Sequence, residues 1–286
     1  MRRYGVEWPF VPPGEANVSD SAPHAGPIIS IHALTKSFGS KTVLRGIDLE
    51  VLPGHVLGYI GPNGAGKTTT VKILTGMLSG YGGQARVCGF DVAAQPLEVK
   101  RRIGYVPESA ALYDALTPRE FLQFIGRLYG LTDSEIWRRA FEMLDLFGLT
   151  RELDDRMSTF SKGMRQKVLI VAGLIHNPQV IFLDEPLSGL DANSVVIVKE
   201  VITRLARHGK AIFYCSHVMD VVERICDRIT IINDGRIIAD GTFEQLQTQS
   251  KAASLERIFT QLTSAGGHEA VADRFIQAFE HLDPHG

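Results

Sequence analysis

The run GPNGAGKT at residues 61–68 constrains this chain more than any other segment. It fits the pattern G-x-x-x-x-G-K-[ST] and stands where that pattern has meaning, between a β-rich apolar run at residues 56–60 and a helical stretch at residues 67–77. Glycines let the chain wrap closely around phosphate and turn backbone N–H groups inward. The start of the following helix adds partial positive charge. On this reading Gly61, Pro62, Asn63, Gly64, Ala65, Gly66, Lys67, Thr68 and Thr69 cradle a nucleotide, with Lys67 on its β- and γ-phosphates and Thr68 on Mg²⁺.

A second motif supports the first. Residues 180–183 are apolar throughout and are followed by Asp184 and Glu185. A buried strand that ends in two carboxylates brings them to the carboxyl edge of an α/β sheet, where ligands bind. Asp184 suits the Mg²⁺ shell, and Glu185 suits the base that polarises a water for attack on the γ-phosphate. Together the two motifs describe a P-loop nucleotidase.

The rest of the chain organises around them. Residues 1–27 carry five prolines and three glycines without a period of 2 or 3.6, which predicts a disordered tail. Short strands are expected at residues 28–34, 42–44 and 47–52. Between about residues 117 and 147 the pattern turns to amphipathic helix, with Phe121, Leu122, Ile125 and Leu128 on one face and Phe141, Leu144, Leu146 and Phe147 crowding another. Strand and helix then alternate through residue 232, an edge strand is expected at residues 237–238, and short helices from residue 243. The predicted fold is α/β: a P-loop core with a mostly parallel sheet, an antiparallel β subdomain and an α-helical insertion at about 108–178, all within residues 28–248, followed by a helical extension at 249–286.

Composition narrows the setting. A net charge of −2 argues against nucleic acid as a partner, since phosphate backbones are met by an excess of Lys and Arg. The longest apolar run, residues 168–175, falls far short of the roughly 20 residues a spanning helix needs. Cys88, Cys215 and Cys226 are odd in number and lack zinc-like spacing, which reads as reduced thiols of a cytoplasmic protein.

Four further segments carry a family resemblance. Residues 160–167, FSKGMRQK, resemble the LSGGQ signature loop of the ATP-binding cassette (ABC) family; Ser161 and Gly163 are kept, while Lys162 and Met164 replace a glycine and a glutamine. SGLD at residues 188–191 resembles the D-loop, His217 the switch histidine, and Phe38 the aromatic residue that stacks on adenine. They occur in the family's order and, with the first two motifs, cover about residues 28–248. IGYVPE at residues 103–108 looks closest to exporter-type members, with Glu108 where the family usually has Gln.

The resemblance implies the following. The chain binds and hydrolyses ATP with Mg²⁺. Two such subunits, a homodimer or a related heterodimer, pack head to tail, so Ser161, Gly163 and Asp191 work at the composite nucleotide sites. Glu185 and His217 carry out hydrolysis with Lys67, and Glu108 joins Thr68 and Asp184 around the metal. A separate membrane permease is the partner, and the chain is peripheral on the inner face of the cell membrane. Two other readings are a non-transport ABC ATPase and a regulatory subunit that binds ATP without turnover. The absence of long coiled-coil insertions or a second cassette weighs against the first, and the presence of every core catalytic residue type weighs against the second.

Overall fold

The computed structural model describes residues 26–108 and 114–263. The expected tail therefore lies almost wholly outside the described residues, as does the expected helical extension beyond residue 263.

The chain opens with β1 (Ile29–Phe38) and β2 (Lys41–Val51), an antiparallel pair. Two separate strands were expected where β2 runs unbroken. The ladder skips Gly46, a bulge on β2 between the pairs Leu34 with Ile47 and Thr35 with Arg45, and resumes on its far side; a second irregularity lies between Ile31 and Leu34, where the Ala33 amide donates to the Asp48 carboxylate at 2.8 Å. Next come β3 (Val56–Ile60), α1 (Lys67–Leu74), β4 (Gly82–Val87), β5 (Phe90–Asp91), α2 (Pro96–Lys100) and β6 (Ile103–Val106). β4 was not anticipated: only Ala85 and Val87 of its GGQARV run are buried, so it carries almost no alternation of its own. It forms by adding to the edge of β1, giving the antiparallel sheet β2-β1-β4-β5.

Two helices follow, α3 (Pro118–Leu128) and α4 (Asp133–Leu146), each started by a capping box, Thr117 with Glu120 and Thr132 with Glu135. A short 3₁₀ turn, Met157–Thr159, leads into α5 (Lys162–Leu174). The remaining elements are β7 (Val180–Asp184), α6 (Ala192–Arg207), β8 (Ala211–Cys215), α7 (Met219–Ile225), β9 (Arg228–Asn233), β10 (Arg236–Gly241), α8 (Phe243–Ser250) and α9 (Leu255–Thr263).

The second sheet has the order β10-β9-β3-β8-β7-β6. Its strands pair in parallel except for β10, the antiparallel edge. Successive residues of its central strands enter two different cores. Val56 and Ile60 of β3 and Ile181 and Leu183 of β7 face the core shared with α5, α6 and α7. Leu57, Tyr59, Val180 and Phe182 face α1 and the antiparallel sheet. Burial on both sides is why these strands read as continuous apolar runs.

The helical faces differ from expectation in two places. Leu128 is 68% exposed, and α3 instead buries Phe121 and Leu122. On α4 the buried stripe is Ile136, Ala140 and Leu144, at i, i+4 and i+8, while Phe141 and Leu146 are about half exposed. Only one side of each helix is covered by the other and by α5, so apolar residues beyond that stripe face outward.

Candidate nucleotide site

β3 is fully buried and delivers the chain to residues 61–66 at the carboxyl edge of the parallel sheet. The loop fits only because side chains are absent where it passes its neighbours. A Cβ on Gly61 would come within 2.3 Å of the Ile232 carbonyl, and one on Gly66 within 2.6 Å of Leu44, with Gly66 at φ 114° besides. Gly66 caps α1 without any side-chain hydrogen bond, so no side chain covers the first amides of the helix. Thr70, buried one turn in, donates to the Gly66 carbonyl at 3.0 Å and meets the Tyr59 hydroxyl at 3.3 Å, which pins the helix start to β3. Lys67 Nζ donates to the carbonyls of Gly61 and Pro62 at 2.6 and 3.1 Å, so its ammonium lies along the loop. Thr68 is exposed and Thr69 half-buried at the same helix start.

Asp184 ends β7 with 6% of its surface exposed. Burial, then Glu108 and Glu185, push its carboxyl up to about 6 against the opposing pull of Lys67 and Lys72. Three carboxylates and the loop lysine thus share one electrostatic neighbourhood. A desolvated carboxylate with two more acting on it fits a divalent cation. Among the described residues no group of three or more His, Cys, Asp or Glu side chains could hold a metal by itself.

Glu185 turns away from the strand with φ at 48°, its amide donating to the Cys215 carbonyl at 2.9 Å. Both carboxylate oxygens are engaged. Oε1 accepts from His217 Nδ1 at 2.7 Å, and Oε2 accepts from the Ser216 hydroxyl at 3.1 Å. The side chain of Glu185 is 12% exposed and that of His217 is 74% exposed. Ser216 is buried and also accepts from the Val218 amide at 3.1 Å. Sequence reasoning picked out His217 and missed Ser216, although Ser216 follows the apolar run of β8 as Asp184 ends that of β7.

Ser161 caps α5, accepting from the Met164 amide at 3.2 Å. Gly163 lies against the loop before α6, where a Cβ would stand 2.4 Å from the Gly189 carbonyl. Asp191 caps α6 through the Ser194 amide and meets Lys167 Nζ at 2.9 Å. The Ser194 hydroxyl, and after it Lys167, hold the Asp191 carboxyl well below the usual range. Phe38 ends β1 with 49% of its surface exposed, and the ammonium of Lys36 lies 5.1 Å from its ring centroid. Two clusters result: the loop with Asp184, Glu185, Glu108, Ser216 and His217, and the start of α5 with the loop that leads into α6.

Comparison with known proteins bears on both. Residues 44–188 match the ABC transporter family model. The linearmycin resistance ATP-binding protein LnrL of Bacillus subtilis strain 168 is 38% identical over 237 residues, covering 83% of this chain and 75% of that protein. The ABC transporter ATP-binding protein NatA of the same organism is 42% identical over 217 residues, covering 76% and 88%. A solved ATP-binding subunit of an ABC transporter superposes with a TM-score of 0.79 at 33% identity, covering 83% of this chain and all of that one.

Proposed function

The chain belongs to the ABC transporter family, and from that premise we propose that it hydrolyses ATP in a head-to-tail dimer and drives a separate membrane-spanning permease, in the direction of export. The observation that carries this reading is the hold of His217 and Ser216 on Glu185, beside buried Asp184 and within the electrostatic reach of Lys67.

Each residue has a definite task. The loop amides and Lys67 bind the substrate's phosphates, and Phe38 offers its exposed ring to the base. Thr68, Asp184 and Glu108 would hold Mg²⁺, which would supply charge neutralisation for the substrate's phosphates. Glu185 orients the attacking water and takes its proton through a lone pair that His217 and Ser216, each holding one oxygen once, leave open. A carboxylate only accepts, so His217 carries its proton on Nδ1 and is the exposed partner able to move. Ser161, Gly163 and Asp191 serve the nucleotide held by the second subunit, so ATP joins the two subunits and its hydrolysis lets them part. Among the described residues no helix is long and apolar enough to cross a membrane. This accords with a subunit docked on a permease at the inner face of the membrane. The linearmycin resistance protein favours export over import.

The test uses Glu185→Gln. It is expected to slow hydrolysis by about 10²–10⁴-fold, the range for loss of a general base. The same variant is expected to elute as a dimer with ATP and Mg²⁺ and as a monomer without. A variant that hydrolyses at the wild-type rate, or stays monomeric with ATP bound, overturns the reading.

A further inference from the structure

The start of α5 is fastened to the loop at residues 188–191 more firmly than the family's usual sequence allows. Lys162 Nζ donates to the Ser188 hydroxyl at 2.7 Å. Its methylene stem lies over Gly189, where an added Cβ would stand 3.0 Å from the Lys162 Cγ. Further along α5, Lys167, whose side chain is only 13% exposed, meets Asp191 at 2.9 Å, and Gly163 abuts the Gly189 carbonyl. On the far side of this loop the Ser188 amide donates to the Glu185 carbonyl at 3.1 Å. Lys162, Ser188 and Glu185 therefore form one continuous hydrogen-bonded run. It links the helix start that carries Ser161 to the residue whose carboxylate holds His217. The glycine usual at position 162 has no side chain and cannot complete it.

We propose that Lys162 is a positioning residue that couples the two ATP sites of the dimer, by tying the loop that meets the partner's nucleotide to the backbone of the base that acts on the subunit's own. The proposal rests on the head-to-tail dimer proposed above. When ATP draws Ser161 and Gly163 onto the opposite site, the pull passes through Lys162 to Ser188 and so to the position of Glu185. Lys167 and Asp191 keep α5 and α6 in register whether or not Lys162 is present, so loss of the Lys162 ammonium loosens the coupling and leaves the fold standing. A double-mutant cycle on Lys162 and Ser188 measures the coupling between them.

The experiment measures ATPase rate against ATP concentration for the full chain and for Lys162→Ala, Lys162→Met, Lys162→Arg, Ser188→Ala and the Lys162→Ala/Ser188→Ala double variant. Melting temperature is recorded for each. The wild type is expected to respond with a Hill coefficient above one, bounded by its two sites. Lys162→Ala and Lys162→Met, the second of which keeps the stem, lower it toward one with an unchanged melting temperature. Lys162→Arg retains cooperativity because a donor still reaches Ser188. The double variant is no worse than either single change. A cooperative wild type whose Lys162→Met variant is equally cooperative overturns the proposal alone, as do additive single effects. A wild type that hydrolyses ATP without cooperativity overturns it as well. Failure of Glu185→Gln to dimerise with ATP removes the dimer, and the proposal with it.

Discussion

His217 and Glu185, remote in sequence, meet through a 2.7 Å contact from Nδ1 to Oε1, and Ser216 holds the other oxygen of the same carboxylate at 3.1 Å. The base is therefore aimed by two neighbours of different character, one exposed and one buried. Hydrogen bonds to charged groups contribute about 1.5–3 kcal/mol, so Ser216→Ala is expected to lower kcat roughly 10-fold or more. The KM for ATP should change little, since the hydroxyl faces the base and not the phosphate loop. Ser216→Thr should recover most of the rate. Steady-state kinetics on the three proteins decides it: an unchanged kcat for Ser216→Ala means that His217 alone orients Glu185.

Glu108 stands where its family usually has Gln, and it is the charged neighbour with the greatest effect on Asp184. Glu108→Gln removes one negative charge from that neighbourhood and keeps a side chain of the same length. ATPase activity should persist, with a weaker dependence on free Mg²⁺. Glu108→Ala should weaken transport coupling more than ATP binding. Rates titrated against free Mg²⁺ provide the check, and coincident curves for wild type and both variants would show a solvated acid with no part in the metal's surroundings.

Gly163 has no room to grow. Its Cβ would lie 2.4 Å from the Gly189 carbonyl, a backbone atom that cannot swing aside. Gly163→Ala must push α5 and the loop before α6 apart. Overpacking of this kind costs about 1–3 kcal/mol. The variant should melt at lower temperature and lose ATP-dependent dimerisation, both measurable on one preparation. Wild-type melting and dimerisation together would mean that the two segments separate freely.

His176 gives the fold a defined acid limb. Its ring stacks on Tyr129 at 3.6 Å between centroids, and Nε2 meets the Ile103 carbonyl at 2.9 Å, so Nε2 carries the proton. Burial, with smaller contributions from Arg139 and Lys210, brings its pKa down from 6.5 to about 4, against the opposing effect of the Ile103 contact. Protonation in that interval favours the unfolded chain. Stability should be complete above pH 6.5, fall as the pH drops toward about 4, and change no further through this group below it. A shift of that size corresponds to about 3 kcal/mol. Denaturant unfolding of wild type and His176→Gln across this range tests it: the variant keeps a donor for Ile103 and should show a shallower decline.

Much of this molecule is legible along the chain because the physics there is local. A glycine-rich turn between a strand and a helix can serve few purposes. The apolar runs at β3, β7 and β8 announce strands buried on both faces, and carboxylates placed directly after one of them must emerge at the sheet's edge. Elements whose reasons lie elsewhere in the chain were not legible. β4 has almost no pattern of its own and exists because β1 offers an edge. Leu128 and Phe141 look like core residues until the packing of α3, α4 and α5 decides which side is covered. The meeting of Ser216 with Glu185 and that of Lys162 with Ser188 join residues 31 and 26 positions apart. A motif states which chemistry a residue can perform, while its partners are set by the crossing of strands and helices that closes the chain on itself.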